Sequence, residues 1–351
     1  MSGQEDGRRL VLVVGVGRSG TSLLTGILGQ VGFHVPQPEV KADDTNPRGF
    51  SEPRWAVDFH SRLLQPRRVT VNDARPAAFD QTATAADDET VYAELREWLG
   101  GQMNEADAVV VKDPRTGWFL PLWTRASTDL GVEARFATML RHPAEILASA
   151  AKSYGDWQKP ASRAAAWINI TLETERATRG GKRAFLRYED LLDDWPRELS
   201  RTAELLDIPS LKGTDLRERF PQVDDFVDPT LHRNRIRWDE LDVPASVRDM
   251  AEEVWGILQP LAGRGGDNQE AHAALDAARA RYGFLYAEAE AISQSSVTAV
   301  KPRKKPAKPK PQPQPNAAPK AAVPLKVRLA RRIPARQRKR IKGAISSLRR
   351  S

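Results

Sequence analysis

Arg18, Ser19, Thr21 and Ser22 crowd into the stretch Val11–Leu24, which reads VLVVGVGRSGTSLL. Hydroxyls, backbone N–H groups and a guanidinium that meet at a helix start favour an anion. The first N–H groups of a helix lack intrahelical partners and carry the positive end of its dipole. Three readings of the stretch compete. Gly15, Gly17 and Gly20 fit the G-x-G-x-x-G of a dinucleotide site. That site needs a second strand ending in an acid about 20 residues on. Here Phe33-His34-Val35 makes a poor strand, cut off by Pro36 and Pro38, although Glu39 stands at a suitable distance. Gly15 and Gly20 followed by Thr21-Ser22 also approach an ATP or GTP loop, but Thr21 stands where that loop needs lysine. The third reading centres on Arg18-Ser19-Gly20-Thr21. Beside all three stands the bland one, that the glycines only let a helix pack closely on a strand.

The surrounding elements are those a phosphate loop requires. Arg9 to Val16 is an apolar, β-branched stretch and predicts a buried strand. Ser19 to Val31 has helical spacing, with Leu23, Leu24, Ile27, Leu28 and Val31 on one side. Further buried strands are predicted at Ala108–Val111, Arg135–Leu140 and Arg183–Tyr188. Helices are predicted at Glu52–Leu64, Asp87–Asn104, Pro143–Ser153, Ala161–Arg179, Pro196–Leu206, 243–262 and 270–291. Strands alternating with helices imply an α/β fold of three layers, with a mainly parallel sheet between helices.

The stretch GVGRSGTSLL resembles the 5′-phosphosulfate loop of the sulfotransferase family, whose donor is 3′-phosphoadenosine 5′-phosphosulfate (PAPS). In that family a later strand ends in an Arg, with a Ser eight residues on, and both grip the donor's 3′-phosphate. TMLRHPAEILASAAKS supplies Arg141 and Ser149 at that spacing. AFLRYEDLLDDW resembles the family's R-Y-E-D-L segment and implies Tyr188 as a neighbour of the adenine. VVVKDPRTGWFLP resembles the K-D-P segment of tyrosylprotein-type and bacterial members and implies Lys112 beside the phosphate loop. The resemblance spans about residues 9–240.

It implies a sulfotransferase in which Gly17, Arg18, Ser19, Gly20, Thr21 and Ser22 hold the 5′-phosphate, with Arg18 and Lys112 as catalytic cations. No metal is implied, and the sequence holds no metal-ligand spacing. The base is less well marked. Many relatives carry a His just after the Lys corresponding to Lys112; here Asp113 and Pro114 stand there, so that role does not transfer. TNPRGFSEPRW resembles a bacterial segment that supplies a Glu, which makes Glu52 the first choice. A Glu capping the helix start is an equal alternative, and Glu39, His60 and Asp113 remain in play. The late segment FVDPTLHRNR offers Arg233 or Arg235 to close over the 3′-phosphate.

Composition bounds the rest. The 351 residues contain no cysteine, so disulfides and thiol chemistry are excluded. No segment approaches the roughly 20 apolar residues of a spanning helix. Leu10–Gly17 makes a poor signal-peptide core, between Glu5-Asp6 and an Arg-bearing loop, and a cytoplasmic protein is expected. The net charge of +8 conceals an asymmetry. From Lys301 onward there are 18 Lys/Arg and no Asp/Glu, which leaves 36 basic and 46 acidic residues before it. The chain therefore divides into an α/β domain, 1–292, a Lys/Pro/Ala-rich linker, 293–324, and a basic amphipathic tail, 325–351. The tail's composition suits the anionic inner face of a membrane, with nucleic acid ranked below it and a disordered, solvated tail without partner as the bland case. The acceptor is expected to be a hydroxyl, of a carbohydrate or glycolipid. Two other functions fit the donor motifs: a non-catalytic nucleotide-binding protein tethered by its tail, and an atypical P-loop kinase.

Overall fold

The computed structural model describes residues 7–46, 48–154, 158–228, 237–263 and 267–300. Four strands form one parallel sheet: β1 (Arg9–Val14), β2 (Ala108–Lys112), β3 (Ala134–Leu140) and β4 (Arg183–Arg187), in the order β2-β1-β3-β4. Every residue of β1 and β3 is buried, as expected where helices cover both faces of a parallel sheet. Alternation divides β1 between two cores. Leu10, Leu12 and Val14 join one apolar cluster, and Val11 and Val13 join the other. The expected αβα sandwich is therefore present, with all four strands parallel.

The eight helices predicted from the sequence recur close to their expected bounds, among thirteen α-helices in the described residues. The thirteen are α1 (Thr21–Gln30), α2 (Arg54–Arg67), α3 (Ala77–Ala83), α4 (Glu89–Glu105), α5 (Leu120–Asp129), α6 (Pro143–Tyr154), α7 (Pro160–Ala177), α8 (Tyr188–Asp193), α9 (Trp195–Leu205), α10 (Leu216–Arg219), α11 (Gln222–Phe226), α12 (Ala245–Leu258) and α13 (Gln269–Val300). Local chemistry sets several starts. The Asp88 side chain accepts from the N–H groups of Thr90 and Val91, which fixes the start of α4. Prolines open α6 and α7, where a missing N–H costs nothing.

Some expectations need correcting. The helix predicted from Glu52 begins at Arg54, after Pro53, so Glu52 lies before it and does not cap it. Helices α3, α5, α8, α10 and α11 were not anticipated, and the strand expected to run to Tyr188 ends at Arg187, where α8 begins. Phe33-His34-Val35 is reduced to a single parallel bridge, His34 to Val109, at the outer edge of β2. Helix α13 runs to Val300, past the boundary drawn at 292. Its Ala, Glu, Ser and Gln residues suit a helix, and the first helix-breaking residue is Pro302. By compactness the chain divides at Ser295/Ser296. The linker beyond 300 and the tail 325–351 lie outside the described residues.

The order of strands creates a switch point. From β1 the chain crosses to β2 on one side and later returns to β3 on the other, so the loops leaving β1 and β3 diverge and open a crevice at the carboxyl edge. The turn out of β1 is tightly confined. Gly15 has φ 138°, and a Cβ built there would lie 2.9 Å from the Met139 carbonyl oxygen of β3. Gly15→Ala combines a backbone region reserved for glycine with a clash against main chain. It is expected to cost roughly 2–5 kcal/mol, read as a lower urea midpoint; an unchanged midpoint would refute this account of the turn.

Candidate active site

The loop from β1 to α1 places Arg18 at the switch point. Arg18 has φ 75°, a left-handed conformation unfavourable for a residue with a side chain. Its surroundings hold it there. Arg18 Nε donates to Ser149 Oγ at 3.0 Å, and Arg141 Nη1 donates to the Arg18 carbonyl oxygen at 3.3 Å. Both Arg18 terminal nitrogens reach the Thr45 carbonyl oxygen, at 3.5 and 3.4 Å. Gly20, at φ 101°, lies against the Tyr188 ring, which a Cβ there would overlap. Gly17 differs: its φ is not positive, and a Cβ there would meet only Pro114, at 4.0 Å. The protein's own packing does not demand glycine at that position, whereas a ligand approaching the backbone would.

Arg141 follows the last residue of β3, and Ser149 lies two turns along α6; both are buried. The Arg141 guanidinium stacks over the Tyr188 ring, 4.5 Å from its centroid, and its Nε donates to Glu145 Oε2 at 2.9 Å. Tyr188 opens α8 directly after β4. Burial raises its phenol above the usual range, against the pull of Arg141. Arg18, Arg141, Ser149 and Tyr188, widely separated in sequence, thus form one contiguous group at neighbouring strand ends. Past Arg141 the edge opens into a cleft of about 540 Å³ that includes His142, Glu145 and Trp238.

On the other side of the loop, Lys112 ends β2 and is 3% exposed. Its ammonium donates to Glu52 Oε1 at 2.5 Å, Ser22 Oγ at 3.2 Å and the Phe50 carbonyl oxygen at 3.3 Å, three acceptors for its three protons. Ser22 Oγ itself donates to the Phe50 carbonyl oxygen at 3.0 Å. Burial raises the Glu52 carboxyl above its ordinary value. The attraction of Lys112 opposes that rise and Asp113 adds to it. The short ion pair and the raised value coexist because desolvation outweighs the single cation.

The remaining candidates for a base are otherwise engaged. His60 and Asp113 are both fully buried. His60 Nε2 accepts from Trp123 Nε1 at 2.9 Å, so its proton belongs on Nδ1, which lies 2.6 Å from Asp113 Oδ2. Desolvation pushes the Asp113 carboxyl upward, but the hydrogen bond from His60, together with Arg115, overcomes it and holds the group below its usual range. Glu39 accepts from Gln37 at 2.7 Å in the exposed strip bridged to Pro53.

Ser19 lies inside the loop between β1 and α1, 1% exposed. Its N–H bonds the Val16 carbonyl oxygen at 3.1 Å, and a Cβ on Gly15 would lie 2.9 Å from its Oγ. The hydroxyl therefore turns beneath the loop, away from the helix start. Arg233 and Arg235 lie outside the described residues. The carbonyls of Thr45 and Phe50 are the partners that sequence reasoning missed, and backbone acceptors leave no residue-type signal.

Lys112→Met would leave Glu52 buried near Asp113 without its cation. Near neutral pH this is expected to cost about 3–5 kcal/mol. A carboxyl whose folded value lies above its unfolded one contributes stability that is present in acid and lost as pH rises through the folded value. The deficit should therefore shrink in mild acid. Urea midpoints compared at the two pH values check this, and a deficit independent of pH would contradict it.

Among the described residues no helix is long and apolar enough to cross a membrane, and no three His, Asp or Glu gather as a metal-holding group. No curated protein matches the sequence. Among solved structures, the sulfotransferase domain from the Synechococcus PCC 7002 olefin synthase is 18% identical, with a TM-score of 0.40 over 72% of this chain and 96% of that one. The sulfotransferase domain from the curacin biosynthetic pathway is 13% identical, with a TM-score of 0.39 over 70% and 97%. The model of the sulfotransferase family matches residues 11–212, from the first strand through the turn after α9. That stretch carries the glycine-bearing loop between β1 and α1 together with Glu52, Lys112, Arg141, Ser149 and Tyr188, and the chain belongs to the sulfotransferase family.

Proposed function

We propose that the protein transfers a sulfuryl group from PAPS to an acceptor hydroxyl. The observation that carries this reading is the joined group of Arg18, Ser149, Arg141 and Tyr188 at the ends of β1, β3 and β4. Two guanidiniums, a hydroxyl and an aromatic face suit a nucleoside carrying two separated phosphates. The N–H groups at Gly20, Thr21 and Ser22 open α1 and face the 5′ side. Gly17 leaves room for the approach, and Arg141 and Ser149 take the 3′-phosphate. The Ser19 hydroxyl takes no part.

In the transfer, the acceptor oxygen bonds to sulfur as the bond from sulfur to the bridging oxygen breaks. The leaving 3′-phosphoadenosine 5′-phosphate keeps that oxygen and its electron pair. Glu52 receives the acceptor's proton, and its raised value brings it nearer to neutral pH, where a general base works best. Lys112 and Arg18 steady the charge that gathers on the departing phosphate. For this, both cations exchange carbonyl partners, Phe50 and Thr45, for donor oxygens. A competing reading treats the Lys112–Glu52 pair as purely structural and the protein as a non-catalytic nucleotide binder; the saturated ammonium favours it.

The acceptor is proposed to be a carbohydrate or glycolipid hydroxyl. The basic tail is proposed to hold a cytoplasmic enzyme at an anionic membrane face.

Titration calorimetry with 3′-phosphoadenosine 5′-phosphate, ATP and NAD tests the donor. Tight binding of the first alone is expected, at least tenfold weakened in Arg141→Ala; preference for ATP or NAD would overturn the reading. Glu52→Gln should lower kcat by about 10²–10⁴-fold and change product-nucleotide affinity little. Retained turnover would instead assign the pair a structural part. For the tail, removal of 301–351 should abolish sedimentation with anionic vesicles; equal binding to neutral vesicles, or preference for DNA, would reject the membrane assignment.

A further inference from the structure

We propose that one ordered water molecule is bound beneath the phosphate loop, bridging the hydroxyls of Ser19, Thr138 and Thr174. These three residues are 1%, 4% and 2% exposed, and the hydroxyl oxygen of each has no hydrogen-bond partner among the described residues. All three line one small cavity of about 10 Å³, walled otherwise mainly by apolar groups such as Trp167, Ile170, Phe185 and Leu258. That volume matches the least space a single water needs, and a buried water makes about three hydrogen bonds. Leaving a buried hydroxyl unpaired costs roughly 1–3 kcal/mol. Three such groups around one water-sized space are accounted for together by one bridging molecule.

Placement of the three residues supports the assignment. Thr138 sits on the same face of β3 as Phe136 and Leu140, a polar position in an apolar row. Thr174 lies on α7, where the neighbouring Thr178 bonds back to the Thr174 carbonyl oxygen at 3.0 Å. The Thr174 hydroxyl makes no such bond. Ser19 comes from the phosphate loop, so the water ties that loop to β3 and α7 from below. It thereby holds the Ser19 hydroxyl away from the anion side. The inference is independent of which nucleotide the loop binds.

Thr138→Val and Thr138→Ser separate a hydrated from a dry cavity. Valine keeps the shape and removes the hydroxyl; serine keeps the hydroxyl and removes a methyl. With water present, the valine variant leaves the bridge short of a partner, so its urea midpoint should fall below both wild type and the serine variant. In a dry cavity valine removes an orphaned polar group, and its midpoint should equal or exceed that of wild type. That outcome, or the serine variant ranking below valine, overturns the proposal. A high-resolution crystal structure of the wild-type chain gives a second reading. A solvent peak within hydrogen-bonding distance of Ser19 Oγ and Thr138 Oγ1 is expected, and an empty cavity rejects the bridge.

Discussion

A turn without room for a Cβ governs this molecule. The chain must leave β1 directly against the Met139 carbonyl of β3 and enter α1 within a few residues. Gly15 makes the close approach, and Gly20 makes the second against Tyr188. Between them Arg18 is forced into a left-handed conformation, which sends its carbonyl to Arg141 and its guanidinium to Ser149. The geometry of the candidate site is thus a product of the sheet. Parallel strands side by side fix where Arg18, Lys112, Arg141 and Tyr188 emerge, and the turn fixes their orientation.

The second determinant is how the molecule manages charge at a buried edge. Lys112, Arg141 and Asp113 are each less than a tenth exposed, and each has an opposite charge within hydrogen-bonding distance. Buried ions without partners are costly, so the pairs are a condition for placing such groups together. The pairings differ in kind. Asp113 is fixed by His60 and Arg115 and drawn downward in pKa, while Glu52 is shielded from water and pushed upward. Two carboxyls near one another therefore acquire opposite tendencies from their surroundings.

Much of this was legible in the sequence. The strands stand out because a doubly covered strand must be mostly apolar, and Leu10–Val14 and Val109–Val111 have few other uses. The spacing of Arg141 and Ser149 carried over into three dimensions because a helix start after a strand is rigid. Other features were not legible. The direction of the Ser19 hydroxyl depends on the backbone of Gly15 and on packing against β3. The engagement of His60 depends on Trp123 and Asp113, far away in the chain. Helix α5 carries polar Thr124, Arg125, Ser127 and Thr128 at positions that blur its period. Local pattern records which face is buried; it does not record what a polar atom meets there.

The strip from Val40 to Glu52 is pinned at its base, where Val40 N–H bonds the Glu52 carbonyl oxygen at 2.8 Å, and it feeds carbonyls to both candidate cations, from Thr45 farther out and from Phe50 beside the base. Before any guest arrives, the guanidinium and ammonium are already content with home-grown oxygens. For the donor proposed above, binding would be an exchange of one set of oxygens for another, and the affinity measured would be the small difference between them. A protein arranged this way would hold a highly charged molecule in place and still let its spent form go.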